Sequence, residues 1–387
     1  LVELSTADSY DERYAKWQYA DLPILPENWQ YSISRGKEKQ MKIIKELMHR
    51  KDVNIIIAAT DAGREGELIF RLVYEKNNCN KPVKRLWISS MEEKAISDGF
   101  QNLRDSKHYD NLYQSALCRA KADWIVGINS TRLFSVLYGQ TLNVGRVMSP
   151  TLSMIVEREA SISTFVTELF YTVQLDCGVF TLSCEKLADK QMAKSLCKSC
   201  DGQNIIIQSV ENKEKSEKPP KLYDLTTLQR EANRKLGFIA EQTLSYTQSL
   251  YEKKLVTYPR TDSRYLTSDI SENTPPVIKA IAGLFMSQDT SFTVSMELVT
   301  DNSKVNDHHA IIPTMSIQNY DIASLPFGER EILLLISLRL LCAVGEDCIY
   351  EETIVKTNLN NIDFTAKGKT IITEGFHSIE KLSPSIQ

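Results

Sequence analysis

The sequence predicts a multidomain protein of mixed α/β and α+β class, with a parallel α/β layer, a helical segment and a β-rich layer interrupted by a helical insertion. Three patterns carry this expectation. In "VNIIIAATDAGREGELIFRLVYE" a β-branched apolar run (53–59) leads into an acidic loop, then into Leu68, Ile69, Leu72 and Val73 at helical spacing, and "VKRLWIS" (83–89) follows as a second strand. Strand, helix, strand in that order builds a parallel sheet. From about 109 to 160 the pattern is helical, and from 165 to 210 short alternating runs replace it.

The elements follow in order. "LYQSALCRAKADWIVGINSTRLFSVLYG" spaces Ala116, Ala120, Trp124 and Ile128 four apart on one helical face. "FYTVQLDCGVFTLSC" and "QNIIIQSV" read as strands, and "ENKEKSEKPPK" (211–221) reads as a charged, proline-ended linker. A helix capped by Thr226, with Gln229 three residues on, stops at Gly237. A second helix turns Ala240, Leu244, Thr247 and Tyr251 inward and runs straight into "LVTYPRTDS"; a further helical stretch covers 329–345. "EETIVKTNLNNIDFTAKGKTIITEGF" returns to strands.

Composition bounds the rest. The chain has 387 residues, enough for two to four domains with sizeable cores, and its 42% hydrophobic and 25% charged residues are ordinary for a soluble globular protein. No apolar run approaches the roughly 20 residues needed to span a bilayer, so no membrane association is expected. The first residues lack a basic region followed by an apolar core, which excludes a signal peptide at this position. Eight scattered cysteines suggest reduced thiols and a cytoplasmic location. Cys197 and Cys200 form a lone C-x-x-C without the second pair a zinc site would want. A net charge of −4 does not exclude nucleic acid, which needs only a basic groove.

"KLVTYPRTDSRYL" (254–266) poses the chemical question. Pro259 biases Tyr258 toward extended backbone, and in an extended segment Tyr258 and Arg260 share a face. Arginine is a planar, permanent cation suited to holding a phosphate, and a nearby cation favours a phenolate. These residues alone fit either a nucleophile with an electrostatic partner or a half-buried strand tyrosine beside a surface arginine.

"LVTYPRTDSRYL" resembles the active-site segment of type IA DNA topoisomerases, particularly the topoisomerase III branch. The resemblance implies Tyr258 as the nucleophile that becomes linked to a 5′-phosphate of single-stranded DNA, with Arg260 supporting the phosphate. "TDAGREGE" (60–67) resembles the acidic motif of the family's Toprim domain, which implies Asp61 and Glu65 as ligands of magnesium (Mg2+). The family commonly has a second aspartate two residues after the first, where this chain has Gly63. "DHHAIIPT" (307–314) resembles the histidine motif and implies His308 near the scissile phosphate, with His309 as a surface or packing neighbour. "CRAKADWIVGINSTRLFS" and "LNVGRVMSPTL" resemble segments lining the DNA path, implying Arg119, Asp123, Arg132 and Arg146 as DNA-binding residues. Gly127, Thr131 and Gly145 match as well, whereas Met148 stands where glutamine is usual. Arg119 and Asp123, one helical turn apart, could equally form an exposed ion pair.

The resemblance covers nearly the whole chain and implies a partial Toprim domain at 1–108, a helical DNA-path domain at 109–163, a β-rich arch at 164–220 and 346–387, and a catalytic-tyrosine domain at 221–345. It implies an ATP-independent, Mg2+-dependent enzyme that cleaves one strand, passes another and reseals, acting on single-stranded DNA as a monomer with a helicase as candidate partner. No G-x-x-x-x-G-K-[ST] occurs, and covalent storage of the bond energy would make one unnecessary. No organic cofactor is expected. A non-catalytic single-strand-binding remnant and a nuclease built on the acidic layer are the alternatives. The resemblance also implies further chain beyond both ends.

Overall fold

The computed structural model describes residues 1–88, 93–286, 293–305 and 308–382. The chain divides into two compact units, Leu1–Phe165 and Val166–Gln387.

In the first unit, Val2–Leu4 (β1) and Tyr31–Ile33 (β2) form an antiparallel ribbon, followed by the helix Glu38–His49 (α1). Ile56–Ala58 (β3), the helix Arg64–Lys76 (α2) and Val83–Arg85 (β4) make the expected strand–helix–strand step. β3 and β4 are parallel; the helix Glu93–Gln101 (α3) leads to Arg104–Asp105 (β5), which adds antiparallel on the far side of β4. β3 is shorter than the 53–59 run, because only three of its residues find partners on β4 and Ile55 is exposed. Of the four apolar residues read into α2, Leu68, Leu72 and Val73 are buried and Ile69 is not. The helix packs on two sides: Phe70 and Val73 join the sheet cluster, while Leu68 and Leu72 meet Tyr113, Ala116 and Leu117. Ile69 lies on the face left to solvent.

Those last three belong to Asp110–Tyr138 (α4), whose left-handed terminal residue is Gly139 at φ 67°. On the predicted face Ala116 is buried, and Ala120, Trp124 and Ile128 are half-buried. The N-terminal segment lies along this helix: Trp124 Nε1 donates to the Ser5 carbonyl at 2.9 Å, and the Asn129 amide both accepts from Ile24 N and donates to its carbonyl. Met148–Ser163 (α5) follows and carries no buried residue.

The second unit is built on a five-stranded antiparallel sheet. Gln174–Asp176 (β6) and Thr181–Cys184 (β7) form a hairpin, and the helix Lys190–Cys200 (α6) follows, an element that alternation did not predict. Cys197 is exposed and Cys200 packs into the core, so the C-x-x-C lies on a helix with its thiols in different surroundings. "QNIIIQSV" is irregular until Ser209, and most of the supposed linker is the strand Ser209–Glu217 (β8). Its charges misled: β8 is an edge strand, where charged side chains discourage pairing with other chains. Here they also face opposite charges, Lys215 on Glu352 at 2.6 Å and Glu211 on Lys356 at 2.9 Å.

After β8 come Leu225–Leu236 (α7), Ala240–Glu252 (α8), Ser268–Asn273 (α9), Pro275–Phe285 (α10) and Phe327–Ala343 (α11). The cap of α7 is Asp224 rather than Thr226, in a reciprocal pair with Thr227, and Gly237 ends the helix at φ 74° as expected. α8 buries Thr243, Thr247 and Leu250, so only Thr247 of the predicted inward set is fully buried and Ala240 is exposed. α11 is apolar on nearly all sides and forms the centre of this core. Cys348–Leu359 (β9) and Ile362–Thr373 (β10) turn through Asn360 and Asn361, both at positive φ, the turn that matches strand twist. Phe376–Glu380 (α12) ends the described chain. The sheet order is β6-β7-β10-β9-β8. Since β8 and β9 are direct neighbours, residues 218–347 emerge and return between two paired strands. Among the described residues no helix is long and apolar enough to cross a membrane.

Candidate active site

Tyr258 and His308 are 50 positions apart, and backbone pairing joins them. Thr257 N donates to the Ile312 carbonyl, Thr314 N to the Leu255 carbonyl, and the Thr257 and Thr261 hydroxyls to the carbonyls of Ala310 and His308. The two motif segments thus form a short irregular ladder over the core of the second unit. It sets the Tyr258 ring 4.3 Å from the His308 ring at 36°, with Tyr251 edge-on at 5.4 Å. Tyr258 is half-buried and His308 is 9% exposed, so both rings are held while an edge of the tyrosine stays accessible. Arg260 is exposed and makes no ion pair among the described residues, which leaves its guanidinium available to an anion. His309 is a buried packing residue: burial pushes it down to about 4, and its Nδ1 meets the Ala310 carbonyl at 2.8 Å. Asp307, the first residue of that motif, lies outside the described residues.

One feature of this unit was not legible as a motif. Lys221 and Lys304 approach the Tyr265 ring at 5.1 and 4.7 Å, and a hydrogen bond from Lys221, with the charges of both lysines, lowers the pKa of its phenol. A ring flanked by cations suits stacking against a nucleic-acid base beside phosphate.

The first unit positions the acidic loop. Asp61 lies past the carboxyl end of β3, where open α/β sheets build their sites, and Gly63 opens α2. The loop is wrapped around Arg85, which is fully buried. Its Nη1 donates to the carbonyls of Ala58, Thr60 and Leu86, and its Nη2 to that of Asp61. Glu67, also fully buried, balances that charge at 3.0 Å and holds Arg71 at 2.9 Å. Burial lowers the Arg85 pKa and Glu67 opposes that shift. Gly66 permits the tight approach, since a Cβ there would stand 2.1 Å from the Asp61 carbonyl oxygen. Of the motif's three acids, Asp61 and Glu65 are exposed and Glu67 is buried against Arg85.

Two exposed carboxylates give a hard oxygen set that fits Mg2+, which keeps several waters and takes few protein ligands. Among the described residues the loop gathers no third carboxylate, thiol or imidazole at ligand distance, as Gly63 implies. Glu65 is engaged by Arg119 at 2.9 Å. The pairing considered from sequence, Arg119 with Asp123, does not form; Arg146 Nε instead donates to both Asp123 oxygens at 2.9 Å. Thr131 Oγ1 accepts from Val144 N and Ser135 Oγ from Leu142 N in the same loop, so α4 holds the "LNVGRVM" segment at three points. Arg132, expected among the DNA contacts, is 7% exposed and donates to the Tyr14 carbonyl, with Trp17 over its guanidinium at 5.5 Å. Its guanidinium is engaged inside the unit, unlike that of the exposed Arg146. Arg146 is half-exposed beside its Asp123 partner. Arg146→Ala should make the salt dependence of single-strand binding shallower by about one unit. An unchanged slope would mean that Arg146 only fastens its loop.

The first unit carries the acidic loop and the second the tyrosine–histidine pair, and comparisons with known proteins give the class that the sequence resembles. A family model described as DNA topoisomerase matches residues 107–385, and one described as Toprim domain matches residues 4–91. The chain belongs to the DNA topoisomerase family. Its relatives include DNA topoisomerase 3 of Bacillus cereus, 41% identical over 399 residues, and that of Bacillus subtilis, 41% identical over 395; each match covers 98% of this chain and 54% of the relative. The chain thus spans about half the length of the curated relatives it matches. Among solved structures, full-length topoisomerase I from Thermotoga maritima superposes with a TM-score of 0.74 at 24% identity, over 92% of this chain and 60% of that one, and shares the fold.

Proposed function

We propose that this chain is the part of a topoisomerase III-like type IA enzyme that binds single-stranded DNA and cleaves it through Tyr258. The observation that carries this reading is the ladder-held Tyr258 beside His308, with an exposed Arg260 two residues on. Attack by the Tyr258 oxygen forms an O–P bond, breaks the P–O3′ bond and leaves a free 3′-hydroxyl. The phenol loses its proton and the departing oxygen gains one. Arg260 offsets phosphate charge, and His308 donates a hydrogen bond to phosphate or passes a proton. When bound by Asp61 and Glu65, Mg2+ supplies positive charge against phosphate oxygens. Resealing reverses the displacement, so the bond energy is conserved and ATP is not consumed. The domain division at 108, 163, 220 and 345 belongs to the same proposal, as do monomeric action and a helicase partner.

The test is a labelled single-stranded oligonucleotide incubated with the protein and Mg2+, then run under denaturing conditions. A covalent adduct is the expected result. Free cleaved ends without adduct would mark a nuclease, and intact oligonucleotide with native binding would mark a non-catalytic remnant. The metal assignment has its own variant. Gly63 has extended backbone, φ 179°, which an aspartate can adopt. Gly63→Asp should lower the Mg2+ concentration needed for half-maximal adduct, and Asp61→Ala should raise it. Identical magnesium curves in both would remove the acidic loop from the reaction.

A further inference from the structure

Glu217, Cys348 and His377 form a second cluster in the Val166–Gln387 unit, apart from the tyrosine, and its chemistry differs from that of the acidic loop. One ligand atom from each lies within 4.8 Å of the other two. Glu217 is the last residue of β8 and Cys348 the first of β9, and they are directly opposed in the ladder. His377 is the second residue of α12, whose start is tied to the same place by Phe376 N donating to the Glu346 carbonyl. Gly375 makes that approach possible, at φ 54° with its missing Cβ 2.3 Å from the Asp347 carbonyl oxygen. Three elements therefore converge where residues 218–347 leave the sheet and return to it.

We infer that this cluster is a zinc site that fastens the base of the inserted segment. A carboxylate, a thiolate and an imidazole are each zinc ligands, and water can complete the tetrahedron as the fourth. The histidine is already oriented for it. Its Nδ1 meets Glu380 Oε2 at 2.9 Å, while its Nε2 faces Glu217 at 3.4 Å. A carboxylate on the far ring nitrogen is how zinc-binding histidines are held, since it fixes the tautomer that turns the Nε2 lone pair to the metal. Ligand atoms around tetrahedral zinc stand roughly 3.4–3.6 Å apart, so the cluster needs a contraction of about 1 Å. Glu217 and His377 are partly exposed side chains able to supply it. Lys369, 3.4 Å from Glu217, would have to withdraw, and it also has the Tyr350 ring at 3.9 Å. Cys348 is fully buried, and zinc binding would release its proton. The hard, all-oxygen loop at Asp61 would not compete for a thiolate-seeking metal.

The experiment uses the untagged chain, stripped with a chelator and titrated with zinc alone or cobalt(II) alone. One tightly held zinc per chain is expected, with a thiolate-to-cobalt charge-transfer band and a higher unfolding midpoint in zinc. Glu380→Gln should weaken zinc binding by about 10–100-fold while keeping the band, because it removes only the group orienting His377. His377→Gln should lose the site, and Lys369→Gln should tighten it. Cys348 is buried and its replacement could disturb folding, so the wild-type cobalt spectrum provides the thiolate evidence without that variant. A wild-type chain with no charge-transfer band, or zinc retained unchanged in His377→Gln, would overturn the proposal and leave His377 as a polar neighbour of two glutamates. Adduct formation through Tyr258 is read separately, so failure here leaves that reading untouched.

Discussion

Tyr258→Phe should eliminate the covalent DNA adduct and leave single-strand binding nearly intact. Phenylalanine keeps the ring that packs on His308 and Tyr251, and it removes only the attacking oxygen. Loss of a nucleophile costs on the order of 10⁶-fold where the rest of the site persists, so no adduct should be visible in the variant. In the proposed reading binding rests on charges that the substitution does not touch, Arg260 and the lysines beside Tyr265 among them. An adduct that survives in Tyr258→Phe would assign the chemistry to another residue. Tyr265, whose phenol is acidified by Lys221 and Lys304, would be the next to test.

The second large effect is on stability. Glu67→Ala would leave Arg85 fully buried without its carboxylate, and breaking a buried pair in this way costs about 3–5 kcal/mol. For a unit the size of Leu1–Phe165 that corresponds to a fall of roughly 6–20 °C in its unfolding midpoint. Glu65→Ala, two residues away in the same motif, removes an exposed pair with Arg119 and should cost less than about 1 kcal/mol. Calorimetry on the two variants decides the matter. Equal midpoints would show that Glu67 is not the counterion on which the loop depends. The double variant Glu67→Leu with Arg85→Met should recover much of the loss in stability, because an apolar pair of similar volume needs no desolvation. Its acidic loop would nonetheless be displaced, since Arg85 holds the carbonyls of Ala58, Thr60 and Asp61.

The elements most legible in the sequence were those whose signals are local. The β-branched run before "TDAGREGE" and the glycine stop at Gly237 each depend on a few neighbouring residues, and each stands in the structure near its predicted place. The β8 strand was misread because lysine and glutamate look like a linker until β9 supplies the opposite charges. α6 was missed for the converse reason: it follows alternating strands, and its inward residues Ala193, Leu196 and Cys200 gain meaning only from the sheet they cover.

The candidate site divides the same way. Resemblance to family motifs in the sequence pointed to Tyr258, Arg260, His308, Asp61 and Glu65, and a short motif can be matched without knowing its partners in space. What each charge does depends on what lies within about 4 Å, and that is set by contacts across tens of residues. Only the tertiary structure turned Arg132 inward onto Tyr14, joined Arg119 to Glu65 and Arg146 to Asp123, and buried Glu67 against Arg85. Likewise it brought His308 onto Tyr258, because the pairing of two irregular segments is decided by the core beneath them rather than by either sequence alone.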